Sequence, residues 1–265
     1  MIFTLPHLFL VFALLSLFSA TAQDMNLYEK RMYNDETTGG LPYRILYPEN
    51  YNRAKKYPLV LFLHGGGERG HDNEKQLTHG AALFLREENR KTFPCIVVIP
   101  QCPENQYWAS ADVDRSTTPF TIAFNYGSQA TLPLKAALSL VQQLISDESV
   151  DRRKVYVMGL SMGGMGTFEA VYRSPGLFAA AIPICGGGDV QRYDNRVKKT
   201  SFRIFHGARD NVVDVKYSRN MVERLKQLKA NVHYTEYPDA QHNSWDNAFA
   251  APDLLRWLFS NRLKK

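Results

Sequence analysis

Two short apolar runs constrain the fold of this chain more than any other sequence feature. Residues 59–63 (LVLFL) and 96–99 (IVVI) contain only large apolar side chains, with no polar residue at alternate positions. A strand with one solvated face alternates with a period of two, whereas a strand buried on both faces reads as a continuous apolar run. These runs therefore predict a mostly parallel central sheet with helices on both faces.

Strand-like and helix-like patterns alternate along the rest of the chain, as expected for α/β proteins. Strands are predicted at residues 41–47, 58–63, 95–100, 154–159, 179–184, 202–205 and 232–237, and helices at 74–88, 131–145, 162–172, 215–229 and 248–258. Residues 25–33 alternate and predict an additional antiparallel edge strand, while residues 102–127 predict a long irregular loop. No repeat or linker divides the pattern, which indicates one α/β domain without a large cap domain.

The first 22 residues form a separate unit. They carry no charged residue, and an apolar run at 8–18 is followed by the small-residue site Ala20-Thr21-Ala22. This pattern predicts a secretory signal peptide at 1–22, cleaved after Ala22, and one domain at 23–265 that is secreted or periplasmic, with no stable membrane insertion after cleavage. The alternative is an uncleaved membrane anchor, but Pro6 interrupts the run and the cleavage site favours a signal peptide.

Charge and cysteine content exclude several classes of protein. The net charge of +6 is dispersed, and no basic stripe with interleaved aromatic residues is present, so no nucleic-acid partner is expected. Three cysteines are too few for a disulfide scaffold and lack zinc-type pairing. Cys95 and Cys102 flank a predicted strand and would lie about 23 Å apart, too far for a disulfide. Cys185 could pair with either, but three unpaired cysteines are expected.

A G-x-S-x-G motif supplies a candidate nucleophile. Gly159, Ser161 and Gly163 lie between a predicted strand and a predicted helix, which is the context that a nucleophile elbow requires. The sharp turn crowds the backbone, so residues without Cβ are needed on both sides of the serine. Ser161 would then project at a helix N-terminus, where unpaired N–H groups and the helix dipole favour negative charge.

A glycine loop after the second predicted strand supplies candidate donors for an oxyanion. The sequence His64-Gly65-Gly66-Gly67 would expose backbone N–H groups at the strand end. Gly66 is the first choice for a donor, with Gly67 next, and the N–H of Met162 would be the second donor. A phosphate-binding loop is the alternative, but neither phosphate-loop glycine pattern is present.

An acid and a histidine complete a candidate triad. Asp210 follows the strand at 202–205, and His242 follows the last strand, so the chain order is Ser161, Asp210, His242. This is the order found in α/β hydrolases, in which the acid orients the histidine that accepts the serine proton. Asp189 follows the preceding strand and remains a rival for the acid.

Aromatic residues near these motifs are candidates for substrate binding. Trp108 and Tyr107 lie in the loop at 102–127, and Trp245 follows His242. Their rings could stack on a sugar or a phenolic acyl group, or they could fill the core. Nothing in the sequence indicates a metal site or an organic cofactor.

Taken together, the motifs LVLFLHGGGERG (59–70), GLSMGG (159–164), HGARD (206–210) and HNSW (242–245) resemble those of α/β-hydrolase esterases. More narrowly, the chain is similar to the carbohydrate esterases, including feruloyl and acetylxylan esterases, and to the neighbouring small prolyl-oligopeptidase-like peptidases and phospholipase/carboxylesterases. The resemblance implies a Ser161–His242–Asp210 triad and an oxyanion hole at Gly66 and Met162. Glu68 and Arg69 match a recurring acidic–basic pair after the glycine loop, and a salt bridge that shapes the loop is expected for them rather than a catalytic role.

The function that this resemblance implies is cleavage of carboxylic esters through an acyl-enzyme. The expected substrate is an acylated carbohydrate, such as a feruloyl or acetyl ester of a plant-type polysaccharide, or another small ester. A small serine peptidase or a general carboxylesterase or phospholipase of the same fold is the alternative. A non-catalytic binding module on a hydrolase scaffold is the hypothesis from a different class, and the complete triad argues against it.

Overall fold

The structure, a computed structural model, describes residues 24–35 and 39–264. The predicted signal peptide at 1–22 lies outside the described residues. Among the helices that are described, none has the length and apolar character needed to cross a lipid bilayer.

A central eight-stranded sheet organises the described part of the chain. The described residues form ten strands, of which β5 and β6 make a separate two-stranded sheet: β1 (Glu29–Asp35), β2 (Gly39–Leu46), β3 (Tyr57–Leu63), β4 (Ile96–Pro100), β5 (Ala111–Asp114), β6 (Thr121–Phe124), β7 (Val150–Leu160), β8 (Ala180–Ile184), β9 (Ser201–Gly207) and β10 (Val232–Tyr237). The sheet order is β1-β2-β4-β3-β7-β8-β9-β10, and only the β1–β2 and β2–β4 pairs are antiparallel. The mostly parallel sheet and its antiparallel edge are thus confirmed.

Helices cover both faces of this sheet. They are α1 (Ala81–Leu85), α2 (Glu87–Thr92), α3 (Leu132–Asp147), α4 (Met162–Arg173), α5 (Lys216–Gln227), α6 (Trp245–Ala250) and α7 (Leu254–Ser260). Successive residues of β3 enter different cores: Leu61 joins the cluster with α3, α4 and α5, whereas Phe62 joins the cluster with α1, α6 and α7. This two-sided burial explains why the β3 sequence lacks alternation.

Two of the predicted helices are broken in the structure. The pattern at 74–88 forms a 3-10 turn (Lys75–Leu77) followed by α1 and α2. Gly80, the residue before α1, has φ +81°, and a Cβ there would overlap the Phe62 ring, so a continuous helix cannot pass. The pattern at 248–258 divides into α6 and α7 around Pro252, which has no N–H to donate.

The predicted irregular loop at 102–127 instead contains the antiparallel hairpin β5–β6. The Phe120 N–H donates to the Val212 carbonyl at 2.9 Å, and the Ile122 N–H donates to the Tyr217 hydroxyl at 2.7 Å. Ile122 packs in a small cluster with Met165 and Val213. The hairpin is therefore fastened to the segment that follows Asp210.

Candidate active site

Ser161 occupies a strained turn between β7 and α4. Its backbone has φ +53° and ψ −117°, an uncommon conformation for a residue with a side chain. A Cβ at Gly159 would overlap the Gly163 carbonyl, and a Cβ at Gly163 would overlap the Leu63 carbonyl. The two glycines therefore allow the turn to form, and the Ser161 side chain projects at the start of α4.

Three side chains of the candidate triad form a continuous hydrogen-bonded row. His242 Nε2 lies 2.9 Å from Ser161 Oγ, and His242 Nδ1 lies 2.8 Å from Asp210 Oδ2. Because the carboxylate can only accept, Nδ1 carries the proton and Nε2 presents its lone pair to the serine hydroxyl. The Asp210 side chain is fully buried, whereas 18% of the His242 side chain is exposed. The row can move the serine proton onto His242 during an attack on a carbonyl.

Asp210 is held as a carboxylate. Its Oδ1 accepts the N–H groups of Val212 and Val213, each at 2.9 Å, and its Oδ2 lies 3.1 Å from His206 Nε2. Burial raises the pKa of Asp210, but hydrogen bonds from His206 and His242 outweigh burial and hold this pKa well below its usual range. Asp210 is therefore ionised at neutral pH.

His206 supports the Asp210 carboxylate, a contact that the sequence did not reveal. It is completely buried at the end of β9, where Nδ1 lies 2.7 Å from Ser218 Oγ and Nε2 lies 2.9 Å from the Val213 carbonyl oxygen. Since that carbonyl only accepts, Nε2 carries a proton, which also faces Asp210 Oδ2. The available signal was the spacing, a histidine four residues before the acid in HGARD.

Asp189, the rival acid, has a different set of partners. Its carboxylate accepts backbone N–H groups of Tyr126 at 3.1 Å, Gln191 at 3.1 Å and Arg192 at 3.3 Å. These bonds are those of an aspartate that organises a turn. The structure thus brings Asp210 to His242, while Asp189 fastens the loop after β8 to Tyr126.

The glycine loop lies beside Ser161 because α4 begins against the end of β3. His64 fixes the start of this loop: its Nδ1 donates to the Gly65 carbonyl at 2.6 Å, and its Nε2 accepts the Cys102 N–H at 2.9 Å. Burial lowers the pKa of His64 to about 4, so the ring is neutral at pH 7, as these bonds require. A Cβ on Gly66 would meet no atom within 4 Å, which shows that this part of the loop is uncrowded.

Met162, the other predicted oxyanion donor, is the first residue of α4. N–H groups in the first turn of a helix have no acceptor within the helix, so this one is available to a ligand. The donor roles of Gly66 and Met162 remain predictions.

Arg69 shapes the glycine loop, but not through the expected salt bridge. Its Nε donates to the Gly66 carbonyl at 2.9 Å, and its guanidinium lies 5.6 Å from the centre of the Tyr107 ring. No Glu68–Arg69 pair occurs among the ion pairs of the described residues. The basic neighbour of Glu68 is His79, at 3.9 Å. The predicted Glu68–Arg69 bridge was therefore wrong, because Arg69 turns toward backbone carbonyls instead.

Trp108 is not a substrate-stacking residue. The side chain is fully buried, its Nε1 donates to the His64 carbonyl at 3.1 Å, and its Cβ fills the space beside Gly166. A ring with no exposed face cannot stack on a sugar. The prediction that Trp108 binds substrate was wrong. An aromatic residue in such a loop can also pack into the hydrophobic core under the loop, and Trp108 does so.

The other two aromatic candidates are partly exposed near the site. Trp245 packs edge-on against His242, with ring centroids 5.3 Å apart, and also contacts His79 at 5.2 Å. Tyr107 lies between two guanidinium groups, those of Arg69 and Arg115. Their roles in substrate binding remain predictions, and Trp245 has the more direct contact with the triad.

Cys185 lies close to Asp210 and His242 of the triad, so that three potential metal ligands are grouped together. Their chemistry does not suit a metal ion. One ligand atom each of Cys185, Asp210 and His242 lies within 4.8 Å of the others. Asp210 and His242 are already bonded to each other, and burial raises the pKa of the Cys185 thiol, which disfavours the thiolate that metals bind. All three cysteines are buried and unpaired, as predicted.

This architecture recurs in known esterases. A thermostable esterase of known structure is 35% identical, with a TM-score of 0.79 over 89% of this chain and 64% of that one. A ferulic acid esterase from Anaeromyces mucronatus has a TM-score of 0.61 at 16% identity, covering 81% of this chain and 84% of that one. The fold and the strand–serine–helix turn are therefore those of an α/β hydrolase.

Within that class, residues 50–252 match the phospholipase/carboxylesterase family, and the chain belongs to it. A curated relative, a bifunctional acetylxylan esterase/xylanase from Neocallimastix patriciarum, is 24% identical over 225 residues, which are 85% of this chain. The chain spans 29% of the length of that relative and 64% of the thermostable esterase.

Proposed function

We propose that this protein is a serine esterase in which Ser161 is the nucleophile, His242 the general base and acid, and Asp210 the acid that orients His242. The observation that carries the proposal is the unbroken row of hydrogen bonds from Ser161 Oγ through His242 to Asp210, at 2.9 and 2.8 Å. Membership of a family of carboxylic-ester hydrolases supports the same chemistry.

The reaction follows from the positions of these groups. Ser161 Oγ attacks the ester carbonyl carbon while its proton passes to His242 Nε2, and Asp210 stabilises the resulting imidazolium. The carbonyl oxygen becomes an oxyanion that accepts the N–H groups of Gly66 and Met162. The ester C–O bond then breaks, and His242 returns the proton to the departing alcohol. Water, deprotonated by His242, attacks the acyl-Ser161 carbonyl carbon. The bond from that carbon to Ser161 Oγ then breaks, His242 returns the proton to Ser161 Oγ, and the carboxylic acid is released.

The proposed substrate is an acetyl or feruloyl ester of a plant-type polysaccharide. The relatives include an acetylxylan esterase/xylanase and a ferulic acid esterase, which supports this class. The partly exposed Trp245 ring beside His242 could contact a sugar or a phenolic group. A small serine peptidase or a general carboxylesterase would use the same triad and is the alternative. A non-catalytic binding module would have no need of the serine–histidine–acid row.

A serine-to-alanine variant tests the mechanism. Ser161→Ala should lose several orders of magnitude of turnover of p-nitrophenyl acetate, because no acyl-enzyme can form. A fluorophosphonate probe should label the wild-type protein at Ser161 and leave the variant unlabelled. A folded variant with near-normal activity would refute the assignment. Faster cleavage of peptides than of acetylated or feruloylated oligosaccharides by the wild type would favour the alternative substrate.

We propose further that the protein is secreted or periplasmic, as one domain at 23–265 after removal of residues 1–22. The uncharged apolar run and the Ala20-Thr21-Ala22 site support this. Expression of the full chain in a bacterial host, followed by N-terminal sequencing of exported protein, should give Gln23 as the first residue. Protein that retains Met1 in the membrane fraction would favour the membrane anchor.

A further inference from the structure

A cavity of about 540 Å³ lies far from the triad, at the other end of the parallel strands. Glu148, one of its lining residues, precedes the first residue of β7, whereas Ser161 follows the last. The cavity opens between the β1–β2 pair and the C-terminal end of α3. We call it the tyrosine cleft, after the three tyrosines in its lining. The lining residues used below are Glu29, Arg31, Tyr43, Tyr47, Tyr51, Arg53, Asp147 and Glu148.

Three tyrosine rings supply the apolar surface of the tyrosine cleft. Tyr43 is paired with Arg31 across β1 and β2, which puts both side chains on the same face of the sheet. Tyr47 and Tyr51 follow, with ring centroids 4.8 Å apart. All three rings are partly exposed. The cleft therefore offers flat apolar surface that a ligand can contact.

Internal hydrogen bonds hold these rings in position. The hydroxyl of Tyr47 donates to Glu148 Oε1 at 2.9 Å, and that of Tyr51 donates to Glu148 Oε2 at 2.7 Å. Only 13% of the Glu148 side chain is exposed. Two rings are thus fixed by a largely buried carboxylate before any ligand arrives, which reduces the entropy lost on binding.

The charges around the tyrosine cleft nearly balance. Arg31 forms an ion pair with Glu29, and Arg53 lies 3.9 Å from the Glu148 carboxylate, which leaves Asp147 as the remaining charged residue of the lining. A polyanion such as a nucleic acid would meet the carboxylates, and a polycation would meet the arginines. The lining therefore fits an uncharged ligand that has flat apolar faces and an edge of hydrogen-bonding hydroxyl groups. A chain of neutral sugars has both properties, and the volume lies within the range of small-ligand sites.

We propose that the tyrosine cleft is a second, non-catalytic binding site for an unmodified segment of an uncharged polysaccharide. The proposal rests on the proposed function to the extent that the bound polymer is the one whose ester groups are cleaved. Holding that polymer at the cleft raises its effective concentration at the triad, which lies at the opposite ends of the strands, at least ~20 Å away if β3 is taken at ~3.3 Å per residue.

The test measures binding of sugars that carry no ester. Unacylated xylohexaose, cellohexaose and mannohexaose are titrated into the full chain by calorimetry, and soluble arabinoxylan is used in affinity gels. We expect the wild type to bind at least one hexaose, and Tyr43→Ala and Arg31→Ala each to weaken that binding about ten-fold. Tyr43→Phe, the matched control, retains the ring and should retain binding. Turnover of p-nitrophenyl acetate should be unchanged in all three variants.

Several outcomes would overturn the proposal: no binding of any hexaose or of arabinoxylan, equal binding by wild type and both alanine variants, or loss of binding in Trp245→Ala alone. Arg31 is half exposed, so Arg31→Ala carries the test if Tyr43→Ala does not fold. Hydrolysis of acetylated xylo-oligosaccharides is measured on the same wild-type protein. If the protein hydrolyses these esters but binds no hexaose, the binding site is refuted and the proposed function stands. If it binds a hexaose but hydrolyses no sugar ester, the proposed substrate is refuted.

Discussion

Two aspartates follow neighbouring strands, and only one of them contacts a histidine of the site. We expect Asp210→Asn to lower kcat for p-nitrophenyl acetate by about 10⁴, because an amide no longer holds the reactive tautomer of His242. Asp189→Asn should keep kcat within a few-fold of wild type, since its carboxylate accepts only backbone N–H groups. Both are measured at equal folded fraction. A large loss in Asp189→Asn with an active Asp210→Asn would reverse the assignment.

His64 makes stability depend on pH. Its pKa is lowered to about 4 in the folded protein by burial, from an ordinary value of 6.5. The unfolded chain therefore binds one more proton between these two values, so stability is fully present above pH 6.5 and falls as pH drops toward 4. The shift in the pKa of His64 contributes about 3 kcal/mol to the free energy of unfolding at neutral pH relative to pH below 4.

Urea unfolding of wild type and His64→Gln at pH 7, 6, 5 and 4 measures this contribution. The glutamine can still accept the Cys102 N–H but does not titrate. The unfolding free energy of the variant should therefore change less with pH than that of the wild type, with a difference in slope that corresponds to at most one proton bound on unfolding. Parallel curves for the two proteins would show that His64 does not titrate as described.

Sequence reasoning found the triad because its residues are tied to strand ends by fixed local patterns. Ser161 lies in a turn that demands glycines on both sides, and Asp210 and His242 each follow a strand of the same parallel sheet. The solvent exposure of an aromatic side chain in a loop has no comparable local sequence pattern. Trp108 and Tyr107 are adjacent in one loop, yet Trp108 is buried and Tyr107 is partly exposed. The role of His206 was equally hidden, because its partner Val213 lies in a loop with no sequence signature.

At the level of elements, the contact between α4 and β3 sets the position of the elbow. We expect Gly163→Ala to lower the free energy of unfolding by ~2 kcal/mol or more and to reduce activity, because its Cβ would overlap the Leu63 carbonyl. Gly66→Ala should change stability by no more than ~0.5 kcal/mol, since no atom lies within 4 Å of its added Cβ. Thermal and urea unfolding of this pair measure the difference. Equal stabilities would show that α4 can move away from β3.

The elements that the sequence predicted well are those with long periodic patterns and clear boundaries, such as α4 and β10. The pattern at 74–88 failed because apolar spacing does not reveal that Gly80 must adopt a positive φ beneath the Phe62 ring. The hairpin β5–β6 was missed because each of its strands has four residues, too few for a detectable alternation.

At the level of the whole molecule, the three thiols are sealed inside the fold. Burial raises the pKa of Cys95 and Cys102 to about 12 and raises that of Cys185 further. We expect Ellman's reagent at pH 8 to modify none of them in the native protein and all three in denaturant. Reaction of any thiol in the native protein on the timescale of seconds would contradict this burial.

The strand order has a consequence for how activity develops during synthesis and refolding. Ser161 is placed once β7 meets α4, but its hydrogen-bond acceptor and the acid arrive on the segments after β9 and β10, the last strands to be made. A nascent chain that ends before residue 242 has a nucleophile turn with no base. The strands β8, β9 and β10 must add to the sheet in register before Ser161, His242 and Asp210 can form their hydrogen bonds. Recovery of ester hydrolysis therefore reports completion of the slowest, long-range part of folding.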